Sequence, residues 1–332
     1  MCIQIDISFN TKKSAKTAKK NQYKSGCVGK YLFHKKNLDY RNMERKECEN
    51  NMKKKIIFVS DIDGTLISDG NELSKTSKRI LKELYSKGIQ ICFATGRDYK
   101  KLNDVLGDIE FKYSAICCNG SEIYDEESNI LNKNYLDNEK CEKIIQYLEK
   151  LDVLYMLYTD KGNVVRGTKD RNTRLLKLGE TKQGSFEDIV EEAKIYYKLI
   201  YANSREIFNI DSFGLNILKI EIIDSDVYKL IEMKQALENI CDISITTSFK
   251  YNLEIQPLKI DKGSALKDLI DDGYIIIVAG DGENDLSLFK MADCTIVPQK
   301  RDTILDQYDN IITCNPEEIL RTVEEKAEEY DF

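Results

Sequence analysis

The stretch "DIDGTL", residues 61–66, sets two carboxylates, Asp61 and Asp63, two positions apart, with Gly64 and Thr65 directly behind them. A single Asp before Gly is ordinary turn chemistry at a strand end. Two acids turned toward one crevice repel each other, and the repulsion is relieved either by a cation or by a proton held on one of them. A second acidic group stands far downstream in "GDGEND", where Asp281 and Asp285 flank Asn284 and where Gly280 and Gly282 let the backbone turn sharply and approach closely. Alone, these acids suit a solvated loop. Joined to Asp61 they make a hard oxygen site for Mg²⁺, which takes a few carboxylates and keeps water and substrate phosphate in its shell. Thr95 and Gly96, in "ATGRD", offer a hydroxyl and backbone N–H groups to anionic oxygens. Lys262, in "IDKGSAL", is by default a solvated lysine at a helix start, yet its compact ammonium can neutralise a phosphate and a carboxylate together.

Groups so far apart in sequence need a scaffold that returns to one edge. "IIFVS", "IQICFATG", "YSAICCNG" and "YIIIVAGDG" are apolar runs suited to strands buried on both faces, and each ends in one of the polar loops. Between them "SKTSKRILKELYSKG" reads as a helix capped by Ser74, with Ile80, Leu81 and Leu84 on one face and Gly88 as its stop. A second helix begins at "DYKKLNDVLG". This β-α-β-α-β rhythm implies an α/β fold, a Rossmann-like parallel sheet with helices on both faces, in which ligands bind beyond the carboxyl ends of the strands. Asn119 and Gly120, in "NGS", fall at that same edge. After Gly120 short strands around "VLYMLYT", "ILKIEII" and "ISITT" mix with helices, an α+β pattern. The expected division is therefore a leader over 1–53, a core from 54–122 and 253–332, and an inserted α+β domain over 123–252.

Residues 1–51 hold 12 Lys+Arg against 5 Asp+Glu, and the remainder holds 38 against 52, so the body is acidic and ill suited to nucleic acid. The basic leader lacks an amphipathic period and reads as a flexible extension, with Met52 before "KKKIIFVSD" as an alternative start. No apolar run is long enough to span a bilayer, and a secretory signal core is absent, which points to the cytoplasm without a membrane partner. Ten cysteines without a CxxC pair, and one histidine, fit reduced buried thiols and argue against a zinc site and against His-based nucleophilic catalysis.

In their order, "DIDGTL", "ATGR", "NGSEIY", "DKGSAL" and "GDGENDLSLF" resemble the haloacid dehalogenase-like phosphatases, specifically the Cof-type sugar-phosphatase branch with an α+β (class IIB) cap. The resemblance covers about residues 54–332. It implies that Asp61 is the nucleophile and Asp63 the general acid and then base. It further implies that Thr95 and Lys262 grip phosphoryl oxygens, with Gly64, Gly96, Asn119, Gly120 and Asn284 lining the substrate side. Mg²⁺ would be held by Asp61, the Asp63 carbonyl and Asp281, with Asp285 supporting. Two departures, "CTIVPQKRDTI" where a Gly-Asn-Ala loop is common and "PLKIDKG" without a preceding Gly, bear on specificity rather than chemistry. The implied substrate is a small phosphorylated metabolite such as a sugar phosphate. A phosphomutase, a phosphosugar sensor and a signalling receiver remain alternatives, the last disfavoured by the second acid and the large insertion. Within the insertion Thr168, Lys169 and Arg171 are candidate substrate contacts; neither the metabolite nor the oligomeric state follows from the sequence.

Overall fold

The computed structural model describes residues 55–67, 72–151, 153–166, 205–206, 215–224, 226–248, 250–299, 301–308, 311–315 and 318–330. The leader and the candidates Thr168, Lys169 and Arg171 lie outside them. The apolar run ahead of Asp61 is β1, Lys55–Ser60, buried from its second residue onward. There follow helix Lys75–Ser86, β2 (Gln90–Ala94), helix Tyr99–Leu106, β3 (Ser114–Cys117), β4 (Glu122–Tyr124), β5 (Ile130–Lys133) and helix Asn138–Leu151. The chain continues through β6 (Leu154–Thr159), β7 (Val164–Arg166), β8 (Arg205–Glu206), β9 (Ile217–Ile223), helix Val227–Ile240, β10 (Ile243–Thr246) and β11 (Asn252–Pro257). Helix Lys262–Leu269, β12 (Tyr274–Ala279), the one-turn helix Leu286–Phe289, β13 (Cys294–Pro298), β14 (Ile311–Cys314) and helix Ile319–Glu329 complete it.

One sheet runs β14-β13-β12-β1-β2-β3-β4-β5. It is parallel from β14 to β3, and only the β3–β4–β5 end is antiparallel. Period-two alternation explains why β1 is apolar throughout. Ile56 and Phe58 pack with Leu81, Leu102 and Val323 on one face, while Ile57 and Val59 pack with Ala265, Leu266 and Leu288 on the other. Full burial of such a side chain contributes roughly 1.5–3 kcal/mol relative to exposure, so Asp61 stands on a rigid platform. The local signals work as expected: Ser74 caps its helix through the Ser77 N–H, and Gly88 adopts a left-handed φ of 93° just after the helix ends. The described cysteines are free thiols. Burial raises the pKa of Cys117 and Cys118 well above the ordinary thiol value, which keeps them unreactive. Among the described residues no helix is long and apolar enough to cross a membrane.

A second sheet runs β10-β11-β9-β6-β7-β8. Its Tyr155, Leu157, Ile220, Ile222 and Ile255 pack against Ile144, Leu148, Leu230, Met233 and Leu237 of helices Asn138–Leu151 and Val227–Ile240. The alternate residues Tyr158, Lys219, Glu221, Asn252, Glu254 and Gln256 are polar and buried nonetheless. The exchange between the sheets falls later than the 122/123 and 252/253 boundaries read from the sequence. β4 and β5 extend the first sheet, and β11 pairs antiparallel with β9 and β10 in the second. In "NLEIQP" the polar residues interrupt the apolar ones, so the strand carries no continuous apolar run to announce it; "EIY" is too short to declare its sheet.

Candidate active site

β12, β1, β2 and β3 are consecutive neighbours, so the loops leaving their carboxyl ends lie side by side where the strand order reverses. The Asp61 N–H donates to the Ala279 carbonyl at 2.9 Å, which stitches the first acidic loop to the last. One carboxylate oxygen each from Asp61, Asp281 and Asp285 lies within 4.8 Å of the others. Lys262 is completely buried and donates from Nζ to Asp61 Oδ1 and Asp285 Oδ1, both at 2.7 Å. A reciprocal cap holds it there: the Ser264 N–H donates to Asp261 Oδ1 at 2.7 Å and the Asp261 N–H donates to Ser264 Oγ at 3.0 Å. Asp285 is fixed as well, its Oδ2 accepting from the N–H groups of Asp281 at 2.9 Å and Gly282 at 3.1 Å.

One ammonium faces three carboxylates. Burial pushes the Asp61 carboxyl up to about 7; Lys262 pulls against the shift, and Asp285 and Asp63 add to it. Burial likewise pushes Asp281 up to about 9, with Asp61 and Asp285 contributing. For Lys262 burial works downward, yet Asp285 and Asp61 outweigh it and hold the ammonium above the ordinary lysine range. The surplus negative charge and the all-oxygen donor set fit a hard divalent cation such as Mg²⁺. A pH dependence follows. Asp61 and Asp281 bind protons more tightly in the folded, metal-free protein than in the unfolded chain, so its stability falls as pH rises through about 7 and toward about 9. In chelator the melting temperature should drop from about pH 6 to about pH 9, and the rise produced by millimolar Mg²⁺ should widen over that range. A Mg²⁺-induced rise that stays constant or shrinks would contradict this charge balance.

Gly64 adopts φ +81°, and a Cβ there would stand 2.1 Å from Asp281 Oδ2. The turn that carries Asp63 therefore passes directly over the other acidic loop. Gly64→Ala should displace Asp281 and lower kcat/KM by on the order of 10²-fold, the scale of a 1 Å misplacement. It should also weaken Mg²⁺ binding by titration calorimetry, and unchanged Mg²⁺ affinity would refute the close approach.

Thr95 is buried, and its hydroxyl oxygen accepts the Arg97 N–H at 3.1 Å. The three carbonyls of this turn are all occupied: Thr95 O by the Asn119 N–H at 3.0 Å, Gly96 O by Lys219 Nζ at 2.7 Å, and Arg97 O by the Cys118 N–H at 2.8 Å. Cys118, Asn119 and Gly120 are successively left-handed, with φ of 49°, 53° and 103°. A non-glycine residue there costs conformational energy and marks a constrained site. Asn119 donates from Nδ2 to Glu254 Oε2 at 2.9 Å and accepts from Asn284 Nδ2 at 3.3 Å, so it bridges the second sheet to the acidic loop. Gly120 has a packing task, since a Cβ there would lie 2.4 Å from the Asp261 carbonyl oxygen.

The residues singled out for the core site thus lie on these four adjoining loops and at the start of helix Lys262–Leu269, while Thr168, Lys169 and Arg171 lie outside the described residues. Asp63 stands apart from the triad, its side chain about half exposed and paired with Arg97. Three residues went unassigned in the sequence: Arg97, and the buried ion pair of Lys219 with Glu254. A signal for one partner existed in "ILKIEII", where Lys219 and Glu221 recur at period two inside an apolar strand and mark a polar face.

Residues 58–319 match the model of the haloacid dehalogenase-like hydrolase family. The chain is 26% identical to the 5-amino-6-(5-phospho-D-ribitylamino)uracil phosphatase YwtE of Bacillus subtilis, over 78% of this chain and 92% of that protein. Its fold is similar to that of a haloacid dehalogenase-like hydrolase from B. subtilis, with a TM-score of 0.69 at 18% identity over 82% of this chain and 99% of that one. The subclass IIB sugar phosphatase BT4131 superposes with a TM-score of 0.61 at 15% identity, over 82% of this chain and 99% of that one. With the family model spanning most of its length, and both acidic loops inside the match, the chain belongs to the haloacid dehalogenase-like hydrolases, as an enzyme of the phosphatase kind.

Proposed function

We propose that the chain is a Mg²⁺-dependent phosphatase that hydrolyses a small phosphorylated metabolite, such as a sugar phosphate, through an aspartyl-phosphate intermediate. The observation that carries this reading is the clustering of Asp61, Asp281 and Asp285 within 4.8 Å around the buried ammonium of Lys262. A carboxylate pair alone would serve many reactions; one with an ammonium and a divalent-cation site beside it suits attack on a phosphoryl group. The sugar-phosphatase assignment of the similar BT4131 and the phosphorylated substrate named for YwtE support the substrate class.

In this reading an Asp61 oxygen attacks phosphorus while the bond to the leaving oxygen breaks, and Asp63 supplies the proton that oxygen needs. Asp63, now a carboxylate, takes a proton from water; the water oxygen attacks the aspartyl phosphate, phosphate departs and Asp61 is restored. Because the Arg97 N–H occupies the Thr95 oxygen, the hydroxyl proton is available to a phosphoryl oxygen. Lys262 neutralises charge on Asp61 and on the phosphoryl group. Mg²⁺ would be held by Asp61, Asp281, Asp285 and the Asp63 carbonyl, and supplies charge neutralisation and orientation when bound. We assign the cap role to the unit between the end of β5 and the end of β11, whose polar face carries Lys219 and Glu254. Its closure would exclude water and select the leaving group. The test is phosphate release from a panel of phosphorylated metabolites with and without Mg²⁺. Mg²⁺-dependent release supports the hydrolase; isomerised substrate without release would identify a mutase, and binding without turnover a sensor.

A further inference from the structure

We propose that Arg97 is a positioning residue that aims the Asp63 side chain at the leaving-group oxygen, Asp63 carrying the proton it gives on an oxygen lone pair outside the contact with Arg97, so that Arg97 governs the expulsion of poor leaving groups rather than the grip on phosphate. The inference rests on the phosphatase reading above. Arg97 Nε donates to Asp63 Oδ2 at 2.6 Å and Nη2 donates to Oδ1 at 2.5 Å, the two-point fork that a guanidinium makes with a carboxylate. Among the described residues no other side chain hydrogen-bonds this carboxylate.

The asymmetry of exposure gives the fork its direction. The Asp63 side chain is 52% exposed and that of Arg97 only 12%. A half-exposed carboxylate on a turn is free to change rotamer, and the fork removes that freedom. Arg97 is itself anchored at both main-chain groups, its N–H on Thr95 Oγ1 and its carbonyl on the Cys118 N–H at 2.8 Å. One residue thereby ties the orientation of the proton donor to the hydroxyl that holds the phosphoryl group, so donor and phosphorus keep a fixed relation. Two of the guanidinium's donors, including Nε, are committed to Asp63 rather than turned to the acidic triad.

The consequence depends on the leaving group. A nitrophenolate departs without a proton, whereas an alkoxide does not. The experiment compares kcat/KM for nitrophenyl phosphate and for glycerol phosphate, with Mg²⁺ present, in the full chain. Arg97→Ala should lower the glycerol phosphate value by on the order of 10²-fold, the lower end of a general-acid contribution, and the nitrophenyl value by at least about ten-fold less. Arg97→Lys keeps the charge without the fork and should shift the ratio in the same direction; it decides the matter if Arg97→Ala does not fold. In an Asp63→Asn background Arg97→Ala should add less than about three-fold, since the two act as one unit. Equal losses on both substrates, or full additivity in the double variant, would overturn the proposal. A wild-type protein that releases phosphate neither from these two substrates nor from any member of the metabolite panel would instead overturn the phosphatase reading, and this inference with it.

Discussion

Asp61→Asn should lower kcat by on the order of 10⁴-fold or more, the scale seen when a reacting nucleophile is removed. The change is nearly isosteric, so the loss will not come from packing. The amide lacks the charge and the lone-pair basicity to attack phosphorus, and the remaining carboxylates are held elsewhere: Asp285 by Lys262 and two N–H groups, Asp63 by Arg97. Substrate binding should persist because Thr95 and Lys262 are untouched. Stability should move the opposite way from activity. Burial raises the Asp61 carboxyl to about 7, so above that pH its charge destabilises the metal-free fold. The variant should therefore melt at a higher temperature than the wild type in chelator at about pH 8, the usual trade of a site kept for chemistry. Steady-state kinetics, acid quench for phosphoprotein and a thermal melt check all three. Full turnover in the variant, or phosphate trapped on another residue, would end the case for Asp61 as nucleophile.

Much of this site was legible because its four strands are apolar on both faces and each polar loop follows one directly. β1 could be recognised from "IIFVS", and with it the placement of Asp61. The same logic placed Thr95 after β2 and Asp281 after β12. What the sequence concealed was cross-chain. The Arg97 fork depends on Asp63 lying 34 positions away, and no local period encodes that distance. Lys219 and Glu254 are 35 positions apart in the chain, yet they meet because β9 and β11 pair. A charged residue in a strand normally signals a solvated face, and here that face is buried against the loops of the other sheet. The place of β11 in the second sheet is hidden for a related reason: it alternates Leu253 and Ile255 with Asn252, Glu254 and Gln256, and Asn252 and Glu254 find partners in Glu221, Lys219 and Asn119, well away in the chain.

The largest stability effect is expected at Lys262. Its ammonium is fully buried, and it is the one cation among the described residues ion-paired with the acidic triad. Lys262→Met keeps length and apolar stem while removing the charge. Asp61 and Asp285 would then face each other and Asp281 with no counter-ion, and breaking a buried pair in this way costs about 3–5 kcal/mol. The cost depends on pH with a definite sign. Lys262 lowers the Asp61 pKa in the wild type, so its removal lets the carboxyl hold its proton to higher pH and avoid part of the penalty in acid. Above that range the charge is forced on the fold. In chelator the variant should fall furthest below the wild type at about pH 8 and recover partly toward about pH 6. Millimolar Mg²⁺ should restore stability, because a divalent cation replaces the missing positive charge, yet activity should stay low because the phosphoryl oxygens still lack the ammonium. Recovery of melting temperature without recovery of kcat would separate the two tasks of this lysine. A variant that melts like the wild type in chelator at about pH 8 would mean that Asp61 and Asp285 do not face Lys262 as charged partners.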